Sequence, residues 1–77
     1  MMKTFFIRLY TIQDVRDFVN AVSLASCDID LTSGRYVVDA KSIMGIFSLD
    51  LLSPIQVTIH GECAGIEDKL ERFMVKD

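Results

Sequence analysis

The chain of 77 residues has no tryptophan, one proline, one histidine and two cysteines. Each scarcity excludes something. A zinc site of the usual four ligands would need carboxylate help from a chain with a single imidazole. Cys27 and Cys63 allow one disulfide at most and lie in no Cys-x-x-Cys spacing. No metal and no cofactor is expected. Four Gly and one Pro are too few for a low-complexity, disordered chain. Long apolar runs are also missing. The longest candidate, Ile43 to Leu52, is broken by Gly45, Ser48 and Asp50, far short of the ~18 residues a membrane span needs. Near the N-terminus, Phe5-Phe6-Ile7 is closed off by Arg8, too short a run for a signal peptide. A cytoplasmic protein is expected. Positive charge is scarce too: 8 basic residues face 11 acidic ones, for a net charge of −3. That balance argues against a nucleic-acid partner and against an anionic membrane surface.

Half of the chain (51%) is hydrophobic, enough to build one core. A chain this short buries only roughly 60% of its unfolded surface, so residues 1–77 are read as a single domain. Lys3 to Leu9 is rich in aromatic and β-branched residues and reads as a first strand. The period then changes. Ile12, Val15, Phe18, Val19 and Val22 fall on one helix face. Thr11 stands before that face as a candidate N-cap, with Asp14 three positions on, where the helix dipole favours an acid.

Cys27 to Leu31 alternates apolar and acidic residues, as a half-buried strand does. Thr32-Ser33-Gly34-Arg35 supplies a turn, and Tyr36 to Ala40 alternates again, which makes a hairpin. Ser42 to Leu49 reads as a short helix. Pro54 opens a last strand, with Ile55, Val57 and Ile59 on one face and Gln56, Thr58 and His60 on the other. A final helix aligns Ile66, Leu70, Phe73 and Met74, with Asp68 and Arg72 spaced for an i,i+4 ion pair. The order β-α-β-β-α-β-α predicts an α+β fold, a four-stranded antiparallel sheet covered on one side by three helices.

The stretch Asp39-Ala40-Lys41-Ser42-Ile43-Met44-Gly45-Ile46-Phe47-Ser48-Leu49 closely resembles the Lys-Ser-Ile-Met-Gly segment of HPr, the phosphocarrier of the bacterial phosphoenolpyruvate-dependent sugar phosphotransferase system. Phe18-Val19, Ser33-Gly34-Arg35 and Val57-Thr58-Ile59 resemble the late first helix, the hairpin turn and the fourth strand of that family. The resemblance runs from about Val15 onward and implies the family's open-faced β-sandwich.

The departure lies at the start of the first helix. The family carries Gly-Leu-His-x-Arg-Pro-Ala there, and its His accepts phosphate from phosphoenolpyruvate by way of enzyme I. Counting back from Phe18-Val19 puts Thr11 at the His position and Gln13 at the Arg, and a one-residue slide puts Tyr10 there instead. The preceding loop is about four residues shorter than the family's. Reversible phosphoryl carriage uses an imidazole nitrogen, a good nucleophile and then a good leaving group. Thr11 has no evident base beside it. His60 ends a strand, with no helix N-terminus of its own to cradle a phosphate.

Ser42 reads as an N-cap of its short helix. The resemblance adds a second role, since the HPr proteins of Gram-positive bacteria are phosphorylated at this serine by an ATP-dependent kinase. On a helical wheel, Ile43, Met44 and Phe47 cover one arc and Ile46 and Leu49 another. A short surface helix buries only one side, so Ile43, Met44 and Phe47 are expected to be left for a partner. Cys27 falls on the buried parity of its strand and reads as packing. Cys63, in the loop Gly61 to Gly65, is given no function.

Three readings stay open. The first is a non-enzymatic regulatory or interaction protein of carbon-catabolite control. It lacks the carrier His and is switched at Ser42. Its partners are phosphotransferase-system proteins, an HPr-type Ser kinase/phosphatase or a transcriptional regulator. The second is an active phosphocarrier with an unconventional acceptor, Thr11 or His60. The third is a ferredoxin-like small-ligand module. No Ser/His/Asp set and no phosphate-binding glycine loop points to an enzyme.

Overall fold

Two periodicities in the sequence, two and 3.6, sort the chain into strands and helices, and their apolar faces meet. The computed structural model describes residues 2–75. The elements run β1 (Met2–Ile7), α1 (Ile12–Ser23), β2 (Asp28–Ser33), β3 (Tyr36–Asp39), α2 (Ile43–Phe47), β4 (Ile55–His60) and α3 (Ile66–Leu70). A 3-10 turn, Glu71–Phe73, continues α3. The order is the one that the periodicities predict.

The strands form one antiparallel sheet in the order β1-β4-β2-β3. Alternation assigns the faces. Ile29 and Leu31 of β2, Ile55, Val57 and Ile59 of β4 and Ile7 of β1 point into the core. Across it lie Val15, Phe18 and Val22 of α1, Ile46 of α2, and Ile66 and Leu70 of α3. On the opposite face of the sheet β4 carries Gln56, Thr58 and His60, flanked by Thr4 and Asp30 and by the exposed Met2, Phe6 and Val37, and this face has no covering layer among the described residues. A sheet with one wet face needs this polar alternation.

The hairpin between β2 and β3 closes in two residues, Gly34 and Arg35, with Ser33 opposite Tyr36. Gly34 takes a φ of +59°, which a tight hairpin turn requires at its first central position and a Cβ would resist. β1 has a second partner beyond β4. Arg8 N–H donates to the Phe73 carbonyl at 2.8 Å, Val75 N–H donates to the Phe6 carbonyl at 2.9 Å, and Ile7 bridges Met74.

The structure corrects four local expectations. β1 ends at Ile7 rather than Leu9, because Arg8 N–H turns to the Phe73 carbonyl instead of a strand partner. Ile12 is 63% exposed, although the helical period assigns it to the core. It is the first residue of α1. Asp68 and Arg72 do not pair. The helix tightens to a 3-10 turn at Glu71, and Arg72 reaches α1 instead, contacting Asp17 at 3.2 Å and Asp14 at 3.3 Å. Met74, expected on the last helical face, has left the helix and bridges Ile7.

Candidate functional site

The start of α1 is closed by its own residues. Thr11 is the N-cap, and its Oγ1 accepts from the Asp14 N–H at 3.0 Å. The Asp14 carboxylate reaches back and accepts from the N–H groups of Thr11 at 3.3 Å and Tyr10 at 3.0 Å. This reciprocal capping box satisfies donors that a bare helix start leaves to solvent or to an anion. Gln13 does not turn toward the cap. Its amide donates to Asp17 Oδ1 at 2.8 Å, one turn along the helix. That bond, with Arg72 close by, holds the Asp17 carboxyl below the ordinary carboxylate value.

Two arginines that sequence reasoning missed stand beside this helix start. Arg8 lies over the Tyr10 ring at 4.8 Å and donates from Nη2 to the Leu52 carbonyl at 3.1 Å. Its Nε is buried with no hydrogen-bond partner. Arg72 lies over the Phe73 ring at 4.4 Å. Both line a cavity of about 440 Å³ together with Tyr10, Asp14 and Phe73. Arg8 could have been suspected, because it falls between β1 and the α1 cap. Arg72 carries no local signal, since it arrives from the other end of the chain.

The lone imidazole is elsewhere. His60 ends β4 opposite Met2, while Ile55, at the other end of β4, pairs with Ile7 next to the α1 cap. Five residues of strand separate the two ends, about 17 Å. His60 Nε2 lies 2.8 Å from Asp30 Oδ2, and Asp28 is its cross-strand partner. Thr11 and His60 are therefore not brought together.

The α2 segment is built differently. Ser42 is its N-cap, and its Oγ accepts from the Gly45 N–H at 3.1 Å. Space at Gly45 is tight: a Cβ there would stand 3.2 Å from both Ser42 Oγ and Val38 Cβ. Ile46 and Leu49 are buried, which turns the opposite side of the segment outward. Met44 is 77% exposed and Phe47 43%. Ile43 is half-buried and packs against the core. α2 lies against α1 and β3, and the exposed side chains of Tyr10, Ile12 and Leu52 add further apolar surface at the α1 start and in the segment after α2. Among the described residues no helix is long and apolar enough to cross a membrane, and no cluster of three or more His, Cys, Asp or Glu side chains could hold a metal ion.

No protein-family model matches the chain, and no curated protein sequence matches it. Solved structures do. HPr-C-His from Thermoanaerobacter tengcongensis is similar over 94% of this chain and 88% of its own, with 26% identity and a TM-score of 0.70. The phosphocarrier protein HPr from Bacillus anthracis is similar over 94% of this chain and 89% of its own, with 30% identity and a TM-score of 0.62. Near-complete coverage in both directions, together with the four-stranded antiparallel sheet under three helices, shows that the chain belongs to the HPr family.

Proposed function

We propose that this HPr-family protein is a regulatory and interaction protein of the phosphotransferase system that does not carry phosphate on a histidine. It acts by presenting α2 to partner proteins and is switched by phosphorylation of Ser42. The partners are phosphotransferase-system proteins, an HPr-type Ser kinase/phosphatase or a transcriptional regulator of carbon-catabolite control. It is not an enzyme and works in the cytoplasm.

The observation that carries this proposal is the exposed α2 face. Met44 is adaptable and Phe47 is a large aromatic, and both are solvent-facing while Ile46 anchors the helix. Such a surface suits docking. Ile43 contributes its accessible edge. A phosphate on Ser42 would add about −1.5 to −2 charges directly beside this apolar surface, enough to exchange one partner for another.

The loss of carrier activity is supported at the α1 start. Thr11 stands where the family's His is expected and Gln13 where its Arg is expected. Thr11 Oγ1 is engaged by the Asp14 N–H, and the nearest carboxylate, Asp14, is taken up by two backbone N–H groups and Arg72. A threonine phosphoester is also too stable to pass its phosphoryl group on readily.

One observation favours the second reading, an unconventional carrier. The unpartnered Arg8 Nε and the nearby Arg72 line a cavity at that same helix start. Two incubations separate the readings. With ATP and an HPr Ser kinase, the expected outcome is an acid-stable phosphate on Ser42 that Ser42→Ala abolishes. With phosphoenolpyruvate and enzyme I, the expected outcome is no acid-labile phosphoryl group. An acid-labile group on Thr11 or His60 would establish the carrier reading instead. No phosphate from a kinase shown active on another HPr would reduce Ser42 to a helix cap.

A further inference from the structure

Two thiols far apart in sequence meet at one end of the molecule. β2 and β4 pair antiparallel with Asp28 opposite His60. Continuing that register sets Cys27 across from Gly61, next to the loop that holds Cys63. Gly61 and Gly65 bracket this loop at φ of +100° and +81°, conformations that L side chains rarely adopt. The chain can therefore fold back over the start of β2. Cys27 belongs to the buried core, and Cys63 is half-buried and packs against it. Cys63 also shares a cavity wall with Ser26, the residue before Cys27.

The two sulfurs are not equivalent. The Cys27 thiol, and then the backbone N–H of Cys27, favour a negative charge on Cys63 and hold it below the ordinary thiol value. The same contact with Cys63, reinforced by burial, pushes Cys27 up. Access differs in the same sense. Cys63 lines a cavity of about 310 Å³ with Lys3 and Ile59 on one side and another of about 190 Å³ with Ser26 and Lys69 on the other, whereas Cys27 lines neither. The accessible sulfur is thus also the one whose thiolate is favoured, the combination that makes a cysteine reactive.

We propose that Cys63 and Cys27 form an oxidisable pair: a hydroperoxide oxidises Cys63, and Cys27 resolves the product into an intramolecular disulfide. In the first step the Cys63 thiolate attacks one peroxide oxygen. An S–O bond forms, the O–O bond breaks, and the other oxygen leaves as alkoxide or hydroxide and takes up a proton. Cys63 is then a sulfenic acid. In the second step the Cys27 sulfur attacks the Cys63 sulfur. The S–S bond forms, the S–O bond breaks, and hydroxide leaves with the Cys27 proton as water. The two thiols lose two electrons and two protons, and one peroxide accepts them. The disulfide pins the β4–α3 loop to the start of β2, at the end of the sheet where His60 lies. This proposal does not depend on the role of Ser42.

The test uses the full chain and hydrogen peroxide. After substoichiometric peroxide and an iodoacetamide quench, intact mass under non-reducing conditions is expected to fall by two hydrogens. Both thiols should become blocked together, and digestion should give one linked peptide pair that dithiothreitol separates. Cys27→Ser should leave a sulfenic acid on Cys63 that dimedone captures. Cys63→Ser should slow the reaction of Cys27 with peroxide by roughly ten-fold or more. Because Cys27 is buried, the unsubstituted protein is also alkylated with limiting iodoacetamide, and Cys63 is expected to react first. Disulfide-linked dimers in place of the internal bridge would overturn the proposal. So would Cys27 reacting first, or oxidation of Cys63 beyond sulfenic acid while Cys27 stays free.

Discussion

Asp14 does more work than its position in a helix first turn suggests. Its carboxylate accepts from two backbone N–H groups and meets Arg72, so its loss strands several donors at once. Thr11→Ala removes one cap bond and is expected to destabilise the fold by about 1 kcal/mol. Asp14→Ala should cost more, roughly 2 kcal/mol, because it leaves two donors and a guanidinium unmatched. Urea unfolding of the two variants checks the order, and a larger effect for Thr11→Ala would contradict this account of the box. Asp17 gives the pH counterpart. The Gln13 amide and then Arg72 hold its pKa below the ordinary carboxylate value. A group lowered in the folded state contributes stability above its unfolded pKa and loses it as pH falls through the folded one. Between pH 5 and pH 2 the unsubstituted protein should therefore lose more stability than Asp17→Asn, as followed by urea midpoints at each pH. The cap was legible in the sequence, because Thr11 and Asp14 are three residues apart and local spacing suffices. The Arg72 contacts were not, because a residue near the other end of the chain supplies them.

At the level of elements, α2 shows how much a five-residue helix relies on its neighbours. Isolated helices this short are not stable in water, so Ile46 burial and the Ser42 cap must hold it. Glycine at position 45 costs helix propensity, by about 1 kcal/mol relative to alanine. Yet Gly45→Ala is expected to destabilise rather than stabilise. The new Cβ would stand 3.2 Å from Val38 Cβ, an atom fixed to the β3 backbone that cannot rotate away. Thermal melting checks the sign, and a higher midpoint would mean that β3 yields. The strands and helices themselves were readable from periodicity, and their order came out as predicted. What periodicity could not tell was where an element's last turn stops facing the sheet. Ile12 continues the apolar face of α1 in sequence but is the first helical residue and stays in water. Phe73 keeps the α3 pattern and reaches the core, but the 3-10 turn sends Met74 out of the helix toward β1. The exposed side of α2 was legible because five consecutive helical residues cannot bury two apolar arcs at once. Ile43 alone was misjudged in degree, because it packs partly against the core. The pairing of Cys27 with Cys63 left no trace in local spacing at all.

For the molecule as a whole, one aromatic contact joins the two ends of the chain. Phe18 of α1 and Phe73 meet edge to face with ring centroids 5.5 Å apart, and both are buried. Phe18→Ala should cost about 3–5 kcal/mol. At roughly 0.05–0.15 kcal/mol per residue, that is much of the stability a domain this small has. Near-UV circular dichroism and denaturant titration would register the loss. The hydrogen bonds from Arg8 N–H to the Phe73 carbonyl and from Val75 N–H to the Phe6 carbonyl have a consequence for solubility. β1 is one of the two outer strands of the sheet, and an open outer strand is a template onto which another chain can add by backbone pairing. The residues after the 3-10 turn occupy that template around Phe6 to Arg8, so the chain blocks part of this edge itself. Val75→Pro keeps the extended backbone that Met74 already has (φ −65°, ψ 141°), but removes the N–H that reaches Phe6. Its expected signature is concentration-dependent self-association in light scattering while the circular dichroism of the fold is retained. A strictly monomeric variant would mean that the twist and short length of β1 protect the edge unaided.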